Sequence, residues 1–132
     1  MPDQLKVSAK FPVSAKVIFN AWLNSKLHTD MTGGEALVSS KLGGKFKAWD
    51  GYISGKNLEL IKDKRIIQTW RSSEFAKNDL DSLLVVNFED VSGGCKVTIS
   101  HSQIPRGQGE NYKQGWEDFY LLPMKAYFKK QF

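Results

Sequence analysis

The residues best suited to chemistry in this sequence are few and lie far apart. The two histidines, His28 and His101, fall in different predicted elements, and the single cysteine, Cys95, falls at the exit of a predicted hairpin. A metal site normally needs three or four convergent ligands, and no cluster of histidine, cysteine and carboxylate has that spacing. His101 ends an apolar strand pattern, which favours a hydrogen-bonded histidine at a pocket rim. We therefore predict no metal site.

Two further polar residues are expected beside apolar surface. Asp50 falls on the same side of its predicted strand as Phe46. An inward carboxylate can act as a general base with a raised pKa, but the Asp50-Gly51 pair favours a turn that the carboxylate caps. Gln68 shares a face with Trp70. It either orients a ligand or bonds to a buried backbone group, and the sequence leaves both interpretations open.

No catalytic motif connects these residues. The chain has no Gly-x-Ser-x-Gly nucleophile elbow. Neither Gly43-Gly44 nor Gly93-Gly94 is followed by the Lys-Ser/Thr pair of a phosphate-binding loop. Cys95 belongs to a strand pattern, which is not the setting of an activated thiol. We therefore expect a protein that is not an enzyme and holds no cofactor.

The basic residues are spread along the chain, which has a net charge of +5. Its densest basic segments, 41–47 and 62–65, lack the patterns of a recognition helix, an RNP motif or a zinc finger. We expect no nucleic-acid partner, and solvated lysines on strand exteriors are the main interpretation. The alternative is a basic surface that docks an anionic partner, with Lys41, Lys45 and Lys47 as its residues.

The length and composition indicate a single domain over residues 1–132. Hydrophobic residues make up 41% and charged residues 25%, which is ordinary globular usage. The first residues lack the features of a secretory signal, and the longest aliphatic run, 83–86, is far shorter than the ~20 residues that span a bilayer. One cysteine excludes an internal disulfide. We expect a cytoplasmic protein with no membrane span, and the sequence leaves the oligomeric state open.

Apolar–polar alternation predicts an antiparallel sheet of about seven strands. Residues 5–11 alternate with the period of a half-buried strand, and two short helices follow over about 14–32. The later strands are joined by short turns and form a meander, since no helices come between them. These strands are predicted at 35–40, 45–50, 52–61, 65–73, 82–89 and 95–103.

A long C-terminal helix is predicted from about Glu110. Its two largest aromatics, Trp116 and Phe119, would each bury roughly 150–250 Å², so their stripe is expected to face the sheet. Pro123 predicts a kink or local loosening. Leu121 and Phe128 fall on the opposite, outward face. The predicted inward stripe is Tyr112, Gly115, Trp116, Phe119, Pro123 and Tyr127.

Together these elements predict an α+β helix-grip fold of order β-α-α-β6-α, in which a curved antiparallel sheet wraps around the C-terminal helix. The inner face of the sheet and the helix stripe would enclose an apolar cavity, of roughly 300 Å³ or more if it holds a ligand. Its predicted lining is Phe46, Asp50, Ile53, Gln68, Trp70, Leu84, Phe88, Ile99, His101, Trp116, Phe119 and Tyr120.

Several segments of the chain also resemble a known family. The segments 43–46 (GGKF), 50–55 (DGYISG) and 66–71 (IIQTWR), with Gly115-Trp116 and Tyr120, resemble the homologues of the activator of the heat-shock chaperone ATPase. That family belongs to the START-like, or birch-pollen-allergen-like, superfamily, and the resemblance covers nearly the whole chain. The glycines of the motif also permit the turns and bulges that a curved sheet needs, so the motif is largely architectural.

Two functions are expected from this reasoning. The predicted cavity favours a non-catalytic module that binds a small hydrophobic or lipid-like ligand. The resemblance implies the alternative, a co-chaperone-like module that stimulates the ninety-kilodalton heat-shock chaperone ATPase through its surface. The eukaryotic activator has a separate N-terminal domain with no counterpart here, so we expect no stimulation by this chain alone. A filled interior would favour the surface partner.

Overall fold

Seven antiparallel strands form one open sheet in the computed structural model, which describes residues 2–131 and, of Gln131, the backbone alone. The strand order is β1-β7-β6-β5-β4-β3-β2, so the last six strands form the predicted meander and β1 pairs with β7. The predicted α+β helix-grip architecture is confirmed. The strands are β1 (Asp3–Phe11), β2 (Ala36–Leu37), β3 (Lys45–Ala48), β4 (Ile53–Ile61), β5 (Arg65–Ser72), β6 (Ser82–Val91) and β7 (Gly94–Ile104).

Two short helices connect β1 to β2, and a long helix follows β7. The short helices are α1 (Ala15–Trp22) and α2 (Ser25–Thr32). Asn24 caps α2 by accepting a hydrogen bond from the backbone N–H of Leu27 at 3.0 Å, and Gly33 ends it in the left-handed conformation. The C-terminal helix runs without interruption through α3 (Gly109–Gly115), a π-helical turn (Trp116–Leu121) and α4 (Leu122–Gln131).

The alternation of β5, β6 and β7 places one face of each strand in the core. Every second residue is buried, and the residues between them on these stretches are half-buried. This is the period of two that the sequence shows, because successive side chains point to opposite faces of a strand. The inner-face residues are Ile66, Gln68, Trp70, Leu84, Val86, Phe88, Val97, Ile99 and His101.

The predicted face of the C-terminal helix is wrong beyond Trp116. Phe119 is 56% exposed, whereas Leu121 and Phe128 are only 6% and 2% exposed. The cause is the π-helical turn, whose i→i+5 hydrogen bonds accommodate one more residue than an α-helical turn. Each later residue is displaced by one place around the helix. The buried stripe therefore continues through Met124 and Phe128 instead of Pro123 and Tyr127.

The loosening expected near Pro123 takes the form of this π-helical turn. Proline has no backbone N–H to donate, and its ring collides with the carbonyl four residues earlier, here that of Phe119. The π-helical turn ends at Leu121, two residues before the proline. Prolines and π-bulges are both places where a helix loosens or kinks, and here the two lie close to each other.

The first strand is tied to the start of the C-terminal helix by one carboxylate. Oδ2 of Asp3 accepts hydrogen bonds from the backbone N–H groups of Gly107 and Gly109, both at 2.9 Å. These N–H groups lie at the helix N-terminus, where they have no partner within the helix. None of the helices in the described part of the chain is both long enough and apolar enough to span a membrane.

Candidate functional site

The space between the centre of the sheet and the C-terminal helix is filled. What remains there has a volume of about 10 Å³ and is bordered by Phe46, Gln68, Leu84 and neighbouring aromatic residues. A space of this size holds at most about one water molecule. The prediction of an enclosed apolar cavity at this place is therefore wrong.

The filling comes from α1. Trp22 is 2% exposed and stacks on Trp116 with ring centroids 6.4 Å apart. It also lies 5.3 Å from the ring of Tyr120 and 6.4 Å from that of Phe88. The cavity lining predicted from the sequence contained no residue of α1. The helical spacing of Ile18, Ala21 and Trp22 was the available signal that a large indole enters the core from that side.

His101 lies in this filled core and not at a pocket rim. Nδ1 of His101 accepts the indole N–H of Trp116 at 3.1 Å, so the neutral ring carries its proton on Nε2. That nitrogen donates to Oγ of Ser82 at 2.8 Å, and Ser82 donates to the carbonyl of Trp70 at 2.7 Å. Complete burial lowers the pKa of His101 to about 3, so the ring stays neutral and joins β6, β7 and the helix.

His28 forms a second buried link that the sequence-based analysis missed. Its Nδ1 donates to the carbonyl of Trp22 at 2.9 Å, and its Nε2 accepts the hydroxyl of Tyr120 at 2.9 Å. Burial lowers the pKa of His28 and raises the pKa of Tyr120, so both groups are neutral at pH 7. The i, i+3, i+4 spacing of His28, Met31 and Thr32, all buried, was the signal for an inward histidine.

Gln68 belongs to a chain of buried amides. Its Nε2 donates to Oδ1 of Asn57 at 2.9 Å, and Nδ2 of Asn57 donates to the carbonyls of Ser39 and Lys41 at 2.9 Å each. Gln68 and Asn57 are 3% and 2% exposed. Gln68 therefore bonds to a side chain, and it is linked to backbone carbonyls only through Asn57.

Asp50 lies in an exposed turn and not on the inner face. The β3 alternation ends at Ala48, because Trp49, Asp50 and Gly51 all have positive φ angles, of 52°, 57° and 88°. The residues of a left-handed turn do not continue the two-residue period of the strand. The interpretation of Asp50 as an inward general base is therefore wrong.

The turn that contains Asp50 forms one wall of a cleft that is open to solvent. This cleft has a volume of about 230 Å³ and lies between the β3–β4 turn, β5 and the C-terminal helix. Trp49 reaches the helix there, with its ring centroid 5.6 Å from that of Phe119. The lining residues are Trp49, Tyr52, Ile53, Trp70, Asn111, Tyr112, Gly115, Trp116, Phe119 and Tyr120.

The predicted pocket residues thus do not line one cavity, and Trp70, Trp116 and Tyr120 border both the open cleft and the small interior space. Ile53, Trp70, Trp116, Phe119 and Tyr120 line the open cleft. The others do not: Phe46, Gln68 and Leu84 border the small interior space, Phe88, Ile99 and His101 lie in the solid core, and Asp50 is exposed. The sequence-based lining missed Trp49, Tyr52, Asn111, Tyr112 and Gly115.

Gly115 leaves part of the cleft open. A Cβ atom at this position would have Phe119 Cδ2 as its nearest neighbour, at 3.9 Å, which is an ordinary contact. Packing therefore does not require glycine here. Glycine within a helix is less stable than alanine by roughly 0.5–1 kcal/mol. The missing side chain keeps a volume beside Trp116 and Phe119 that any larger residue would reduce.

One end of the cleft is polar. The hydroxyl of Tyr52 donates a hydrogen bond to the carboxylate of Glu74. The hydroxyl of Tyr112 donates to Oε1 of Gln108 and accepts from Oγ of Ser72, both at 2.6 Å. Burial raises the pKa of Tyr52 to about 12, so its hydroxyl stays protonated. Among residues 2–131, no group of three histidine, cysteine or carboxylate side chains could hold a metal ion.

The residues of the predicted basic surface lie on β3 and in the loop before it. Lys41, Lys45 and Lys47 are all exposed, and Lys45 lies directly opposite the exposed Lys56 of β4. Like charges placed opposite each other destabilise a sheet. Within the described residues, the salt bridges are Lys26–Asp30 and Arg71–Asp81, so none of them neutralises this surface. We call Lys41, Lys45, Lys47 and Lys56 the β3–β4 basic surface.

Comparison with known proteins identifies relatives that match more than nine-tenths of the chain. An HSP90 activator from Plasmodium falciparum has a crystal structure with a TM-score of 0.82 and 27% identity, covering 93% of this chain and 94% of that one. The human "Activator of 90 kDa heat shock protein ATPase homolog 1" is 24% identical over 125 residues, which is 95% of this chain and 37% of the relative. The Dictyostelium discoideum homolog is 27% identical, over 94% of this chain and 32% of the relative.

Other solved structures share the fold at lower identity. The Aha1 dimer from Colwellia psychrerythraea has a TM-score of 0.79 at 14% identity and covers 96% of both chains. The chain spans about a third of the length of the human and Dictyostelium relatives. Its residues 12–129 match the family described as "Activator of Hsp90 ATPase homolog 1-like protein". The chain therefore belongs to this family.

Proposed function

We propose that this chain is a non-catalytic module that binds a 90 kDa heat-shock chaperone through its surface. The observation that carries the proposal is the similarity to the HSP90 activator from Plasmodium falciparum, which extends over almost the full length of both chains. The filled interior also favours a surface partner over an enclosed ligand. A cytoplasmic chaperone would agree with the location predicted from the sequence.

The β3–β4 basic surface is the proposed contact. Its lysines are exposed, and the Lys45–Lys56 pair keeps two like charges opposite each other at a cost in stability. An acidic partner surface would relieve that repulsion. Exposed charges of this kind act mainly on the rate of encounter and its salt dependence. We therefore expect the association to weaken as the salt concentration rises.

The test compares two charge-reversal variants in binding to the chaperone from the same source. In the first, Lys41, Lys45 and Lys47 are changed to glutamate. In the control, Lys6, Lys10 and Lys16 are changed to glutamate, so the two variants have the same net charge. These three residues lie on β1 and α1, and β1 is at the opposite end of the strand order from β3 and β4. We expect binding at low salt to fall about tenfold or more in the first variant and little in the control.

Stimulation of the chaperone's ATPase is the second measurement, and we expect none from this chain alone. The chain spans 37% of the length of the human relative, so stimulation by that whole protein is not carried over by similarity alone. Equal losses in both variants would indicate attraction by net charge and contradict the proposed surface. Absence of binding by the unmodified chain would overturn the proposed function itself.

The open cleft supports a second candidate function, the binding of a small apolar ligand. Its volume of about 230 Å³ lies below the roughly 300–1,000 Å³ of typical ligand pockets, so it suits roughly one or two aromatic rings better than a long acyl chain. Gly115 supports this candidate, because the helix accepts a residue of low propensity that packing does not require.

A variant that fills the cleft separates the two functions. Gly115→Leu places a side chain in the cleft, whereas Gln114→Leu adds the same group to an exposed neighbouring position outside the lining. We expect Gly115→Leu to abolish the binding of small aromatic probes such as indole and to leave chaperone binding unchanged. Loss of chaperone binding in Gly115→Leu alone would mean that the chaperone docks in the cleft and not on β3–β4.

A further inference from the structure

We propose that the cleft selects small organic cations, in which a tertiary or quaternary ammonium group carries methyl or other short alkyl groups. This proposal rests on the second candidate function, the cleft as a ligand site. It names the chemical class of the ligand. It is independent of the chaperone contact on β3–β4.

The first support is the density of aromatic rings around one small space. Seven of the ten lining residues are aromatic, and they come from the β3–β4 turn, from β5 and from the C-terminal helix. The rings are inclined to one another and do not form a parallel stack. Trp70 and Tyr112 meet at 70°, Trp116 and Tyr120 at 57°, and Trp49 and Phe119 at 64°.

Rings grouped in this way attract a cation. The face of an aromatic ring carries partial negative charge, and a cation within about 6 Å of the ring centroid is held by it, most strongly over tryptophan. Three of the lining residues, Trp49, Trp70 and Trp116, are tryptophans. An ammonium group that carries methyl groups also buries apolar surface there, and it needs no hydrogen-bond acceptor for those methyl groups.

The second support is the charge at the polar end of the cleft. The lining contains no lysine, arginine or histidine, although the chain as a whole carries a net charge of +5. Glu74 is linked to the lining through the hydroxyl of Tyr52, and its carboxylate forms no salt bridge within the described residues. An exposed carboxylate beside an aromatic cleft complements a positive charge.

The same arrangement disfavours an anion. Asn111 is the lining residue with a side-chain amide, and the hydroxyls of Tyr52 and Tyr112 already donate to Glu74 and Gln108. An anionic ligand would therefore meet a nearby carboxylate and no cationic side chain in the lining. Burial of a charge without such partners is costly.

The test uses three probes of nearly the same shape. Choline is the cation, 3,3-dimethylbutan-1-ol is its neutral carbon isostere, and 3,3-dimethylbutanoate is the anion. Binding is followed by NMR titration of the four indole N–H resonances. Trp49, Trp70 and Trp116 line the cleft, whereas Trp22 lies in the filled core and is an internal control for the fold.

We expect choline to shift the three cleft resonances, to leave Trp22 unchanged and to bind about tenfold more tightly than the isostere. Glu74→Gln should reduce this preference about threefold without changing the binding of the isostere. Glu89→Gln, which removes an exposed carboxylate from β6, is the matched control. Gly115→Leu should abolish the shifts for all probes.

The contrary outcomes distinguish the cation preference from the ligand site itself. Equal binding of choline and the isostere at the cleft resonances would overturn the cation preference and keep the cleft as an apolar site. Tighter binding of the anion would overturn the cation preference as well. No shift of Trp49, Trp70 or Trp116 with any probe, and none with indole, would overturn both the preference and the ligand site.

Discussion

Trp116 donates its indole N–H to Nδ1 of His101 at 3.1 Å, and the two side chains are 4% and 0% exposed. This bond joins the C-terminal helix to β7 inside the aromatic core. Because the ring nitrogen accepts, a protonated His101 could not take part in it. The stability of the core therefore depends on both the indole and the neutral state of the histidine.

The π-helical turn predicts losses of stability of very different size for two neighbouring aromatic residues. Trp116→Ala should lower the free energy of unfolding by about 3–5 kcal/mol, as for other buried large aromatics, and it also leaves an acceptor on His101 unpaired. Phe119→Ala should cost less than about 1 kcal/mol, because Phe119 is 56% exposed. Urea melts measure both values. A larger loss for Phe119→Ala than for Trp116→Ala would contradict the helix face described here.

The buried histidines predict a loss of stability in mild acid. Burial lowers the pKa of His101 from 6.5 to about 3 and lowers that of His28 as well. The unfolded chain binds these protons first, so the stabilisation is complete above pH 6.5 and declines as the pH falls towards the lower folded-state values. Each histidine contributes a slope of up to about 1.4 kcal/mol per pH unit.

Urea midpoints between pH 7.5 and 5 measure this slope. The variant His101→Gln keeps a polar side chain in the network but removes the titrating group. We expect its stability to be lower at pH 7.5 and to change less with pH than that of the unmodified protein. An unchanged slope in His101→Gln would show that this histidine does not titrate with the low pKa assigned to it.

Two glycines should respond in opposite ways to alanine. Gly115→Ala should raise the free energy of unfolding by about 0.5–1 kcal/mol, because the new methyl group meets no close contact in the helix. Gly55→Ala should destabilise strongly, because its Cβ would lie 1.9 Å from the backbone carbonyl oxygen of Thr69. Thermal melts of the two variants provide the comparison. A destabilised Gly115→Ala would mean that the cleft is less open than its geometry indicates.

The carboxylate of Asp3 should matter more than an ordinary surface carboxylate. It accepts two backbone N–H groups at the start of the C-terminal helix, so Asp3→Ala should cost about 1–2 kcal/mol. Asp30→Ala is the control, since it removes an exposed i, i+4 ion pair with Lys26 worth about 0.3–0.5 kcal/mol. Equal losses in urea melts would show that the link between β1 and the helix contributes little.

The sheet and its inner face could be predicted from the sequence because their signals are local. Alternation in residues 65–71, 82–89 and 95–103 follows from the two-residue period of any strand. The paired glycines and the Asp50-Gly51 turn marked the connections. The family resemblance of nearly the whole chain also rested on local segments, and the match over residues 12–129 agrees with it.

The candidate site depended on features that side-chain types do not specify. The π-helical turn exchanges Tyr127 for Phe128 on the buried face, and that choice is made by backbone hydrogen bonds within the helix. Trp49 joins the cleft because three consecutive positive φ angles turn it towards Phe119.

The sequence by itself determined that aromatic residues on the sheet and on the C-terminal helix would face each other. Only the tertiary structure decided that Trp22 from α1 fills the space between them and leaves an open cleft beside Gly115. The physical reason is that a cavity is the volume that remains when the side chains are subtracted from the space between the elements. Its size and position depend on how all the elements pack together, and no single element encodes that sum.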